Sequence, residues 1–310
     1  MNTMKKFKSI VTLVLVVLVL SSCGLPGLGS GSKEAIKVTG GVTTETQILA
    51  GIVKGMIEHY TDQKVEVINN LGSTTINHQA MLNGDANISA ARYTGTDLTS
   101  ILQLPAEKDP KKTLEIVQKE FKKRFDQKYY PSYGFANTYA FMVTKETAEK
   151  YNLKKISDFK AVANQLEAGV DTSWLEKEGD GYKAFKEDYG FDFKRVYPMQ
   201  IGLVYDALAA GKMDAVLGYS TDGRIASYDL VVLEDDLKFF PPYDASPVAS
   251  YDILKAYPEI DKVLTKLEGT ISTETMQKLN YKSDNDLVEP EIVAEDFLKE
   301  HNYFEKEGDN

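Results

Sequence analysis

Apolar and polar positions follow two periods along most of the 310-residue chain, and one run near the start follows neither. Residues 10–20 are apolar except for Thr12, and Lys5, Lys6 and Lys8 precede them. A bilayer span needs about 20 such residues. This run has instead the length and charge pattern of a signal-peptide core. From Ala35 onward the pattern becomes that of a folded protein. The apolar run 36–39 predicts a short strand. Thr44-x-x-Gln47 has the form of a capping box, which predicts a helix from there to about His59. A strand over 65–68 ends at the turn Asn69-Asn70-Leu71-Gly72. A helix then starts at Ser73, Thr74 and Thr75 and runs to Leu82. After the turn Asn83-Gly84-Asp85 comes a third strand, 87–91, and then a polar helix, 110–125. Strands alternating with helices in this way predict a parallel sheet covered on its faces.

The second half repeats the style without repeating the sequence. Residues 139–144 predict a strand and 145–151 a short helix. A strand starts at 169–171, an amphipathic helix covers 199–210, and a turn at 211–214 leads into a strand over 215–219. Val231 and Val232 form a strand near 239–243, and the tail from Tyr251 reads as mostly helical. No tandem repeat of fixed period is present. The expected class is α/β, with two lobes and a cleft between them. In open α/β sheets ligands bind beyond the carboxyl ends of the strands. That makes Tyr93, Thr96 and Tyr219 candidates. Thr43, Thr44 and residues 73–75 qualify as helix starts, whose free N–H groups favour an anion.

Composition narrows the function. The net charge is -10 and the isoelectric point about 5.0. A nucleic-acid partner would need a basic face to neutralise phosphates. The sole cysteine, Cys23, follows Leu20-Ser21-Ser22 at the end of the apolar run. That is the pattern of bacterial lipoprotein processing. It predicts cleavage after residue 22, lipid attachment at Cys23 and a flexible Gly- and Ser-rich tether over 23–34. Enzyme signals are poor. The three histidines, His59, His78 and His301, have no metal-ligand spacing, so no metal or cofactor is expected. No P-loop or nucleophile elbow occurs, and Asp284-Asn285-Asp286 reads as a solvated turn rather than a calcium loop.

Tyrosine usage is the better clue. The chain has 18 Tyr against 13 Phe and 1 Trp. Tyr93, Tyr133, Tyr139, Tyr219 and Tyr243 stand beside Gly, Asn, Thr or Pro near expected strand ends. Tyrosine faces carry negative potential, so several of them around one point suit a cation without N–H donors, such as a quaternary ammonium group. The alternative is ordinary core or surface tyrosines with satisfied hydroxyls.

At these residues the chain resembles the substrate-binding lipoproteins of Opu-type osmoprotectant ABC transporters, and among them the broad-specificity OpuC-type members. The resemblance runs through NNLGSTTINHQAMLNGDANIS, ARYTGTDLT, YGFANTYAFMVTKETAEKY, YPMQIGLVYDALAAGKMDAVLGYSTDGRIASYDL and FFPPYDASPVA. It implies a type II periplasmic-binding-protein fold, with lobe I over 35–137 and 241–310, lobe II over 138–240, and two crossing strands between them. It implies a box of four tyrosines around a trimethylammonium head: Tyr93 in RYTGTD, Tyr139 in ANTYAF, Tyr219 in LGYSTDG and Tyr243 in FFPPYDAS. Choline-restricted members resemble one another in carrying Asp where Thr96 stands here. A neutral Thr96 therefore implies zwitterions such as glycine betaine and carnitine, with choline as a further ligand. No Gln in 39–44 matches one the family can supply, leaving Thr43, Thr44, Thr74 and Asn137 as weaker candidates for the ligand carboxylate. The resemblance also implies an ABC permease as partner, a membrane contact through the lipid anchor alone, and a place on the outer face of the cytoplasmic membrane. Rival expectations are a binding protein for an amino acid or polyamine, and a surface hydrolase.

Overall fold

A computed structural model of the protein describes residues 35–177 and 181–305. The signal segment, Cys23 and the tether lie outside them.

Ten strands form two five-stranded sheets. The first holds β1 (Ile36–Thr39), β2 (Val65–Ile68), β3 (Ile88–Tyr93), β4 (Gln127–Tyr129) and β10 (Ala245–Ser250), in the order β2-β1-β3-β10-β4. Strands β1, β2 and β3 run parallel, as the helix–strand alternation requires, while β10 runs antiparallel to both β3 and β4. The second holds β5 (Tyr139–Thr144), β6 (Glu167–Asp171), β7 (Arg195–Met199), β8 (Ala215–Tyr219) and β9 (Leu230–Val232), in the order β7-β6-β8-β5-β9. The chain passes between the sheets twice, through residues 130–138 and 233–244. An isolated antiparallel bridge, Ala136 to Asp244, pairs the two crossings. This is a type II periplasmic-binding-protein architecture.

Four helices bear on the site: α1 (Thr44–Tyr60), α2 (Thr74–Asn83), α3 (Pro110–Phe125) and α4 (Thr273–Asp284). Helix α1 is buried along Ile48, Leu49, Ile52, Val53, Met56 and Ile57, a 3.6-residue stripe that packs on the first sheet. The second sheet is cored by Phe141, Trp174, Phe185 and Phe193, all buried. Each such side chain contributes about 1.5–3 kcal/mol by leaving water.

Several sequence expectations need correction. Helix α1 is capped by Thr43, not Thr44: Thr43 is extended, and its hydroxyl accepts from Thr46 N at 3.4 Å. Gln47 makes no reciprocal cap and donates to Gly41 O instead. Residues 195–199 are a strand, and the helix expected from 199 begins as a short 3-10 turn at Ile201, becoming α-helical over Val204–Ala209. Val231 and Val232 do lie in a strand, β9, while Phe239 and Phe240 turn into the second core. Tyr133 is a core residue, fully buried, with its hydroxyl donating to Ala90 O at 2.6 Å.

Candidate functional site

Strands β3 and β8 end at one place, β5 begins there, and the second crossing passes it. The four elements enclose a cavity of about 350 Å³ lined by Tyr93, Tyr139, Tyr219 and Tyr243. Register explains part of this. Tyr139 and Tyr219 are direct cross-strand partners on β5 and β8, and their ring centroids lie 5.3 Å apart. Tyr93 closes β3, opposite Ala245. Tyr243 arrives on the crossing segment beside Gly95, where an added Cβ would meet Pro242 O at 2.4 Å. Only a glycine lets the crossing pass this close.

Three of the four residues are held from behind. The Tyr93 hydroxyl donates to Glu45 Oε1 at 2.6 Å. The Tyr139 hydroxyl donates to Asp171 Oδ2 at 3.2 Å, and its ring lies against Trp174 and Phe240. The backbone N–H of Tyr219 donates to the buried Tyr205 hydroxyl at 2.6 Å. Tyr205 packs on Gly218, where a Cβ would meet its ring at 2.7 Å. Burial, joined by nearby acidic groups, raises the phenols of Tyr93 and Tyr139 well above their ordinary value, and burial raises that of Tyr219. These three rings are therefore neutral at physiological pH, with their faces free of formal charge.

Thr96 lines the same cavity. It belongs to a single helical turn, Thr94–Thr96, stapled at its base by a buried ion pair. Arg92 Nε donates to Asp97 Oδ1 and Oδ2 at 3.2 and 3.0 Å, Arg92 Nη2 donates to Oδ1, and the Tyr129 hydroxyl adds a third donor at 3.1 Å. Residues 92 and 97 are thus tied together across Tyr93 and Thr96. Thr43, Thr74 and Asn137 also line the cavity. Thr44 does not: its hydroxyl turns to Asp284 on α4.

Sequence reasoning missed three residues. Lys177 lines the cavity, donates to Tyr243 Oη at 3.2 Å, and stands 5.8 Å from the ring centres of both Tyr139 and Tyr243. Glu45 and Tyr205 act one layer behind. No periodicity marks any of them. A charged residue in a loop, one in a first helical turn and a tyrosine in a helix are all ordinary. Among the described residues the lining contains no histidine and no cysteine. Among the described residues no group of three or more His, Cys, Asp or Glu is placed to hold a metal ion.

Residues 34–300 match the substrate-binding domain of the ABC-type glycine betaine transport system. The chain belongs to that family. It is 57% identical over 303 residues to a carnitine transport binding protein, OpuCC, of Listeria monocytogenes, covering 97% of this chain and 98% of that one. A glycine-betaine-binding protein of Pseudomonas aeruginosa is 31% identical over 294 residues, 92% of this chain and 93% of the other. Among solved structures, one described as a glycine betaine/carnitine/choline ABC transporter superposes with a TM-score of 0.85 at 56% identity, over 87% of this chain and 100% of that one. As a family member the chain is a substrate-binding component of an ABC transporter, without enzymatic activity.

Proposed function

We propose that this substrate-binding protein captures trimethylammonium zwitterions, carnitine and glycine betaine first and choline as a further ligand, and delivers them to an ABC permease. The observation that carries the reading is the four tyrosines on one cavity, drawn from β3, β5, β8 and the second crossing. A methylated ammonium is large, weakly hydrated and has no N–H to satisfy, so neutral ring faces suit it. Each cation–π contact contributes about 0.5–2 kcal/mol. Several together approach the roughly -8 kcal/mol of micromolar binding. The polar side chains of the lining, Thr43, Thr74, Thr96 and Asn137, suit the carboxylate of the same ligand. That pairing favours a zwitterion over a bare cation.

In this reading residues 35–137 with 241–310 form lobe I, and 138–240 form lobe II. A ligand touching rings of both lobes favours the closed arrangement by its differential affinity. The closed form then meets the permease. Cleavage after residue 22 and lipid attachment at Cys23 would hold the protein on the outer face of the cytoplasmic membrane, its only membrane contact. Neither a cofactor nor a nucleic acid takes part. Calorimetric titration of the purified protein with carnitine, glycine betaine, choline and spermidine tests the ligand class. Saturable binding of the methylated compounds without spermidine is expected. Binding of spermidine alone, or of none of the four, would reject it.

A further inference from the structure

Behind the ring of Tyr93 lies a carboxylate that the binding mechanism has not used. Glu45 is 3% exposed, in the first turn of α1. Its Oε1 accepts from the Tyr93 hydroxyl at 2.6 Å and from Asn137 Nδ2 at 2.9 Å, and its Oε2 accepts from Asn280 Nδ2 at 3.3 Å. All three donors are neutral. No lysine, arginine or histidine forms an ion pair with Glu45 among the described residues. The N-terminal end of the α1 dipole is its only other positive neighbour on its own helix. A buried carboxylate is ordinarily paired with a cation, because removing a lone charge from water is costly. Here the side facing the cavity is occupied by a phenol. Lys177, the one formally charged residue in the cavity lining among the described residues, stands at Tyr139 and Tyr243 and not at Glu45.

We propose that Glu45 is the counter-charge of the cation site, a carboxylate that does not touch the ligand and selects for its positive charge through and past Tyr93. Two effects act in the same direction. A phenol donating to an anion becomes more electron-rich, so its ring face attracts a cation more strongly. The carboxylate's own field also reaches the cavity, because Coulomb attraction falls only as the inverse of distance and is weakly screened in a dry interior. The ligand's ammonium supplies the positive charge that the protein withholds from Glu45. This assignment rests on the reading of the cavity as a site for methylated ammonium ions.

Two substitutions separate charge from shape. Glu45→Gln keeps the length and an oxygen acceptor for Tyr93 and Asn137 but removes the charge. Glu45→Asp keeps the charge but shortens the reach. Choline is the probe, since it carries the cation without a carboxylate. Titration of the wild-type protein with choline and carnitine comes first and tests the ligand class alone. Against that baseline E45Q is expected to bind choline at least tenfold more weakly, with E45D intermediate. Its ligand-free melting temperature should be equal to or above the wild-type value, since an unneutralised buried charge has been removed. E45Q binding choline as well as or better than E45D would overturn the proposal, because shape and not charge would then matter. An E45Q chain that fails to fold would overturn it as well, because Glu45 would be a structural necessity.

Discussion

The four tyrosines differ in how much of the fold depends on them. Tyr219 is 37% exposed, and the hydrogen bond to Tyr205 is made by its backbone, not its ring. Removing the ring should therefore cost binding and little else. Tyr219→Ala is expected to weaken carnitine binding more than tenfold in calorimetry while the thermal unfolding midpoint stays within about 2 °C, the scale of a change below 1 kcal/mol in a chain of this size. Equal binding by the variant would remove Tyr219 from the site. Thr96 tests selectivity in the same way. An aspartate there places a negative charge on the wall beside the ligand carboxylate. Thr96→Asp should weaken glycine betaine and carnitine at least tenfold and spare choline, as paired titrations would show. An unchanged order of preference would mean that Thr96 does not sense the carboxylate.

Among the elements, the short turn Thr94–Thr96 is the least self-sufficient and depends on its staple. Arg92 and Asp97 are both essentially inaccessible, so each needs the other. Breaking a buried pair leaves an uncompensated charge at a cost of about 3–5 kcal/mol. Asp97→Asn should lower the urea-derived unfolding free energy by that order, and binding should weaken with it because Tyr93 and Thr96 lose their footing. Helix α2 carries a second buried group. His78 packs against Phe121 and Phe125 of α3, at 5.7 and 4.5 Å between ring centres. Burial, then the charge of Arg92, lowers its pKa from 6.5 to about 4. Between those values the unfolded chain takes up a proton that the native state refuses. The His78 contribution is therefore complete above pH 6.5 and lost as pH falls toward 4, up to about 3 kcal/mol in all. Denaturation curves over that window should flatten in His78→Gln. The same slope in both proteins would show that His78 does not titrate this way.

Legibility in the sequence followed local signals. The helix over 110–125 and the strands over 139–144 and 215–219 lie where their periodicity and flanking turns put them. Strand β10 was invisible. Ala-Ser-Pro-Val-Ala-Ser has no alternation, and its proline argues against a central strand. The fold accommodates Pro247 at a register shift between Ser246 and Val248, where a missing N–H is tolerated. The edge strand β7 was hidden because Arg-Val-Tyr-Pro-Met is only half buried. At the site the tyrosines were legible as residue types at strand ends. Their grouping came only with the family resemblance, which also set Tyr133 apart. Glu45 and Lys177 are held by partners 48 and 66 positions away, and no local pattern encodes that.

At the scale of the molecule, the two sheets are neither separate nor merged. The chain crosses between them twice, and α4 reaches the loop after β8, with Gln277 Nε2 donating to Ser220 O at 2.7 Å and Asn280 Nδ2 to Thr221 O at 2.9 Å. The latter amide also donates to Glu45, so one asparagine touches both the helix behind Tyr93 and the loop behind Tyr219. Unfolding one half should therefore remove supports of the other. A ligand held by rings from both halves binds only when both are folded, and it should stabilise them together. Mass action sets the size: at 100 times the dissociation constant the gain is about 2.7 kcal/mol, and at 1,000 times about 4.1. For a chain of this size the former raises the midpoint by roughly 5–10 °C. Scanning calorimetry with carnitine should show a single transition that keeps rising with the logarithm of ligand concentration after the site is saturated. A ligand that moved only part of the transition, leaving a second peak at its ligand-free temperature, would place the whole site in one half. The shared box would then be wrong even if every tyrosine variant lost affinity.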